Sequence, residues 1–265
     1  MKPMGTLLAT ALLAGCATLA DAGSDVDVAV IDRNTGERLH TWRHAGRLYV
    51  AGTPGNRYAV ELRNRTGGRV LTVLSVDGVN AVTGQTAAAH QSGYVLDAGM
   101  RAEVAGWRKS MEEVAAFYFT ALPDSYAART GRPDNVGVIG VAVYRERAEP
   151  WPGRDAPVSR QEAERATAGA GEPPAAPAAQ ASAAAPTRDA AERKAAAQER
   201  IGTGHGERMN APTRYTEFRR AGDRPHEVIT IHYDSRANLI AQGIIPAPRV
   251  PLPRPFPGGF VPDPA

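Results

Sequence analysis

Short runs that alternate apolar and polar residues, broken by turn formers, constrain this chain more than any other feature of it. Val26, Val28 and Val30 alternate, Asn34-Thr35-Gly36 makes a turn, and the chain returns through Arg38 to Trp42. Tyr58, Val60 and Leu62 alternate with Arg57, Glu61 and Arg63. A period of two sends one set toward a core and the other toward water, so this is a half-buried strand. Asn64 to Gly68 is a loop of turn formers, Val70 to Val76 a largely apolar strand, and Asp77-Gly78 a further turn. Tyr94 to Leu96, Ala102 to Ala105 and Val114 to Thr120 predict strands. Val136 to Tyr144 is the most apolar run and predicts a central strand, with a β-bulge where its period slips at Ile139-Gly140. Strands repeating roughly every 8–12 residues, with no long amphipathic helix between them, predict an all-β, mainly antiparallel fold. A β-sandwich or a partly open barrel satisfies that pattern.

The pattern stops near residue 148. Glu172 to Pro186 is built of Ala, Pro, Ser and Gln and has nothing large to bury, so it is expected to be a disordered Ala/Pro-rich insertion. Short helices are expected on either side of it. Ser159 and Glu162 have capping-box spacing, and Thr187 to Ile201 consists of helix formers with Gly202 as a stop. Thr213 to Phe218, Glu227 to Tyr233 and Leu239 to Ile244 predict three further strands, too few to hold a core alone and so expected to join the first block. A Pro-rich C-terminal tail follows from Pro246. The organisation expected is therefore a leader over 1–22, a β-rich block over 25–148, a linker over 149–201, returning strands over 213–245 and a tail over 246–265.

The leader carries its own signal. Met1-Lys2-Pro3 is short and basic, and Met4 to Ala14 is apolar but too short to span a bilayer. It ends in Leu13-Ala14-Gly15-Cys16, and Cys16 is the one cysteine of the chain. These four residues resemble the lipobox of bacterial lipoproteins, which implies an acylated Cys16 as mature N-terminus and membrane attachment through that lipid. Ala17, in place of aspartate, implies the outer membrane, facing the periplasm or the cell surface. Two alternatives stand beside it: cleavage after Ala20-Asp21-Ala22 to release a soluble secreted protein, and a cytosolic helix that buries Cys16.

Charge narrows the partners. The formal net charge is +3, and nearly all the positive charge is arginine, since the lysines are Lys2, Lys109 and Lys194. The arginines are scattered among acidic residues instead of lining one face with aromatics between them, so no nucleic-acid partner is expected.

Candidate sites are few. Gly202-Thr203-Gly204-His205-Gly206 lacks the Gly-Lys-Ser/Thr ending of a phosphate loop and predicts a flexible glycine turn. Asp32 to Gly36 lacks the later ligands of a calcium loop and predicts a hairpin turn. His40 and His44 have the spacing of one helix face but lie where the sequence reads as strand and turn, and His226 with His232 has no third ligand nearby, so no metal and no cofactor are expected. No nucleophile elbow is present, and Glu112 and Glu113 would point to opposite faces of a strand. Two segments carry more chemistry: Gly106 to Ser110, and a polar loop over Asp124 to Asn135. They bring Trp107, Arg108, Lys109, Tyr126, Arg129 and Arg132 beside strands of one block, where aromatics and cations can stack on sugars or clamp carboxylates and phosphates. The structural alternative makes Trp107 a core cap and ties the arginines to Asp124 and Asp134.

Ser75 to Asn80, Gly106 to Ser110 and Arg129 to Gly137 resemble segments of a family of uncharacterised proteobacterial exported proteins, over about Arg69 to Glu146. That resemblance implies an envelope location and no particular activity. The expectation is a non-enzymatic envelope lipoprotein with a binding or structural role toward an envelope protein or glycan. The alternatives are a periplasmic hydrolase of cell-wall or glycan material, and an assembly accessory that docks through its Pro-rich tail.

Overall fold

The alternating runs pair into two sheets packed face to face, and no closed barrel forms among the described residues. The computed structural model describes residues 22–148 and 200–247. Cys16, the central linker with Ser159 and Glu162, and the tail beyond residue 247 lie outside the described residues.

The first sheet orders β1 (Val26–Asp32), β4 (Arg57–Asn64), β10 (Glu113–Ala121) and β12 (Ile201–Asn210). Here β8 (Arg101–Val104) pairs with β4 and β9 (Gly106–Arg108) with β10. The second sheet orders β2 (Thr41–His44), β3 (Arg47–Gly52), β13 (Glu227–Ser235), β11 (Val138–Arg145), β5 (Val70–Val76) and β6 (Val79–Asn80), with β7 (Tyr94–Leu96) also on β5. Every pairing is antiparallel except β3 with β13. The inner faces share one core that includes Val28, Val60, Trp107, Phe117, Phe119, Val141 and Ile231. Burial of each such large side chain contributes about 1.5–3 kcal/mol before its entropy cost is counted.

Turn chemistry sets the hairpin registers. Asp77 (φ +52°) and Gly78 (φ +73°) form the two-residue turn between β5 and β6, which pairs Val76 with Val79. Positive φ at both central residues matches strand twist, which is why Asp-Gly marked this turn in the sequence. Ala45 (φ +46°) and Gly46 (φ +77°) do the same between β2 and β3. Alanine is a poor left-handed residue, so neither that turn nor β3 was foreseen.

Several other expectations are corrected. Residues 202–206 are not a glycine turn but the first half of β12, paired along β10 from Ala121 to Glu113. The Tyr118 ring lies over this stretch, so closely that a Cβ at Gly204 would fall 2.2 Å from its Cζ. Glycine here accommodates a neighbouring ring and supplies no flexibility. The register shift falls at Ala116 of β10, opposite which β12 carries the extra residue (Gly206-Glu207), while β11 runs through Ile139-Gly140 in unbroken register.

Residues 213–218 form no strand; they cross the outer face of the second sheet as an extended strap. Phe218 packs there on Leu71, Val73, Ala142 and Tyr144, and the Arg220 guanidinium sits 4.2 Å above the Tyr144 ring. Leu239 to Ile244 is not a strand either. Ser235 caps α2 (Arg236–Ala241) by accepting from the Asn238 N–H, and Leu239, Ile244 and Ile245 cover Trp42, Tyr49 and Ala51. The segment from Asp124 to Asn135 is more ordered than a loop, holding the single turn α1 (Tyr126–Arg129) between two 3-10 turns. The strands after the linker complete both sheets, β12 at the edge of the first and β13 inside the second.

Candidate functional site

Three of the six singled-out side chains, Lys109, Tyr126 and Arg129, meet in one patch. Lys109 follows β9 directly, and the β10–β9 register lays this segment beside Glu113 and Val114. Tyr126 and Arg129 come from α1, whose first turn is held by the Ser125 side chain accepting from the Ala128 N–H. Lys109 Nζ lies 5.5 Å from the centroid of the Tyr126 ring, a cation–π distance.

β12 adds His205 and Arg208 to the patch. The His205 ring is 5.1 Å from the Tyr126 ring, and Arg208 pairs with Glu113 at 2.8 Å. Burial pulls the His205 pKa below its ordinary value, and the charges of Lys109, Arg208 and Arg129 lower it further. Lys109 is likewise held below the usual lysine range, by burial first and then by Arg208. Cations are thus crowded enough to oppose one another's charging, which is the electrostatic signature of a surface that accepts an anion. His205 stands in the glycine run expected to be a flexible turn, because such a run has no side-chain period to mark a strand.

The other three candidates are placed differently. Trp107 has 0% exposure and packs edge-on against Phe117 at 4.7 Å between centroids. Tyr126 at 4.8 Å and the His205 ring at 6.1 Å also neighbour it, so Trp107 stiffens the patch from beneath and offers no surface to a ligand. The reason is the alternation of β9, which points residue 107 into the core. Arg108 turns the other way, its guanidinium 5.9 Å from the Tyr94 ring and its Nη1 donating to the Ala211 carbonyl, and so holds the start of the strap. Arg132 donates to the hydroxyls of Thr130 and Thr86, away from the patch. No ion pair ties these arginines to Asp124 or Asp134 among the described residues.

The histidines are dispersed. His40 packs on Trp42, His232 on Tyr49, and His226 Nε2 lies 3.4 Å from Asp25. Among the described residues no group of three His, Cys, Asp or Glu side chains is placed to hold a metal ion. No described helix is long and apolar enough to cross a membrane.

No protein-family model matches the chain, and no curated protein or solved structure matches it. The chemistry of the patch therefore has to be read from its own geometry. It offers a half-buried aromatic ring, a lysine on that ring, two arginines, and a histidine whose pKa is held below its ordinary value. Such a set can stack on a sugar ring while pairing with carboxylate or phosphate groups.

Proposed function

We propose that this protein is a non-enzymatic binding module of the bacterial cell envelope, tethered through a lipid on Cys16. In this reading it engages an acidic envelope glycan through Lys109, Tyr126, Arg129 and His205. The observation that carries it is the gathering of these side chains, from β9, α1 and β12, over the buried Trp107. Tyr126 supplies the stacking surface, the cations supply charge, and the indole beneath fixes the ring. Leu13-Ala14-Gly15-Cys16 supports the address.

The test is co-sedimentation of the purified chain with isolated cell-wall sacculi, for the native protein and for Lys109→Ala/Tyr126→Ala. A loss of about tenfold or more in binding is expected, from removal of one charge-assisted contact and one stacking contact. Unchanged sedimentation of the folded variant would reject the patch. The address is tested separately by the intact mass of protein from the membrane fraction. A chain beginning at acylated Cys16 supports the tether; a chain beginning near Gly23 rejects it.

A further inference from the structure

A second set of arginines, from other elements, surrounds a groove of about 900 Å³ where the strap meets the end of β11. Its walls are the Thr66-Gly67-Gly68 loop with Arg69, the run from Arg145 to Ala148, and Glu217 to Arg219 of the strap. Four arginines line it against two glutamates. Arg69 is committed to Glu146 at 2.7 Å and to the Glu217 carbonyl at 3.0 Å, and Arg145 grips Asp25 through two hydrogen bonds of 2.8 Å.

Arg147 and Arg219 have no such commitment. Both are exposed, and no carboxylate pairs with either among the described residues. Glu146 and Arg220 form an antiparallel bridge, and the Arg147 N–H donates to the Arg219 carbonyl at 2.7 Å. That register sets Arg147 directly opposite Arg219, so their side chains leave the same face of the pairing. Like charges directly opposite destabilise an antiparallel pair. Two exposed arginines without an ion pair among the described residues thus line a groove whose other two arginines are already braced.

We infer that this groove binds a phosphate group, carried by an anionic lipid headgroup or free in solution. Two guanidinium forks need an anion with more oxygens than a carboxylate has, and a tetrahedral phosphate can engage both. The groove is larger than one phosphate, which leaves room for a substituent. A Cβ built at Gly67 or Gly68 meets nothing within 4 Å, so the loop side is open to its approach.

The lipid source follows from the tether proposed above. The chain enters the fold at Ala22, and Asp25, three residues on, is the carboxylate that braces Arg145. Cys16 lies six positions before Ala22, a reach of at most about 20 Å in any conformation. A lipid on Cys16 therefore keeps the groove within headgroup range.

The test uses the full chain purified from membranes in neutral detergent, titrated calorimetrically. The probes are inorganic phosphate, dihexanoyl phosphatidylglycerol below its micelle concentration, and dihexanoyl phosphatidylcholine as control. Saturable binding of either anionic probe is expected, weakened by about tenfold or more in Arg147→Ala/Arg219→Ala and partly retained in Arg147→Lys/Arg219→Lys. Phosphatidylglycerol binding without phosphate binding assigns the headgroup as source; equal affinities assign the free anion. The alanine pair should melt no lower than the native chain, because a repulsive pair has gone, so lost binding is not lost folding. Failure of both anionic probes to bind, or affinities within about twofold of native in the alanine pair, overturns the assignment. Lys109→Ala/Tyr126→Ala should leave these titrations unchanged, which separates this site from the glycan patch.

Discussion

The Thr203 hydroxyl, on β12 of the first sheet, lies 2.6 Å from the Tyr233 hydroxyl on β13 of the second. This contact is the centre of a fully buried chain across the sandwich. Tyr58 lies on the far side of Thr203, and Tyr233 donates to Asp77 Oδ1 at 2.6 Å. Asp77 also accepts the Gly137 and Thr203 N–H groups at 2.9 and 2.7 Å. Burial raises both phenol pKa values, so the hydroxyls stay protonated, and because Tyr233 gives its proton to Asp77 the bonds run from Tyr58 to Thr203 to Tyr233 to Asp77. A polar thread through an apolar core is acceptable only when every member is satisfied.

Tyr233→Phe should therefore cost about 1–3 kcal/mol, because the Thr203 hydroxyl proton loses its acceptor and Asp77 Oδ1 loses the phenol donor, keeping only the Gly137 N–H. Urea unfolding gives the loss as a lower midpoint at unchanged slope. Thr203→Val should cost a similar amount. An unaltered midpoint in both variants would mean that the thread holds nothing together.

Two aspartates should give stability opposite pH dependences. The Arg145 hydrogen bonds hold the Asp25 pKa below its ordinary 3.8, with the charges of Arg145 and His226 adding to them against burial. Its contribution is present above 3.8 and is lost as pH falls through the folded value. Asp77 is the reverse: burial raises its pKa above 3.8 despite its hydrogen bonds, so its contribution fades as pH rises from 3.8 through the folded value. Unfolding midpoints across this range should show Asp25→Asn flattening the acid side and Asp77→Asn flattening the other. The same profile in native protein and both variants would refute the assignment.

Glycan binding through the Tyr126 patch should strengthen on acidification. His205 is held below its ordinary value of 6.5, so it gains charge only in the pH range below that value. His205→Gln should bind equally at both ends of that range. Sedimentation with sacculi at several pH values measures this directly, and a pH response that survives in His205→Gln would place its origin elsewhere.

Gly204→Ala should destabilise the fold by about 1–3 kcal/mol, since the new methyl overlaps the Tyr118 ring. Gly222→Ala, where a Cβ meets nothing within 4 Å, is the matched control and should change little. Thermal melts of the pair separate crowding from the general effect of replacing glycine.

Much of the first block was determined locally. Val70–Val76 and Tyr94–Leu96 are strands with the limits their residues indicate, and the turn between Val76 and Val79 is where Asp77-Gly78 puts it. Period-two burial and the Asp-Gly preference for positive φ act within a few residues, so a sequence displays them without knowledge of the fold. Tertiary structure alone decided the rest. A glycine run has no side-chain period, and residues 202–206 became strand because β10 offered an edge and Tyr118 a lid. Leu239 to Ile245 could alternate or coil; a Ser235 cap and an apolar surface at Trp42 and Tyr49 selected the helix. The same holds for the site. Residue types at Lys109, Tyr126 and Arg129 proposed a binding surface, but only packing could sink Trp107, turn Arg108 toward Tyr94 and bring in His205. The β10–β12 pairing that brings in His205 joins residues eighty or more positions apart and leaves no trace in local periodicity, because it depends on which sheet each strand joins.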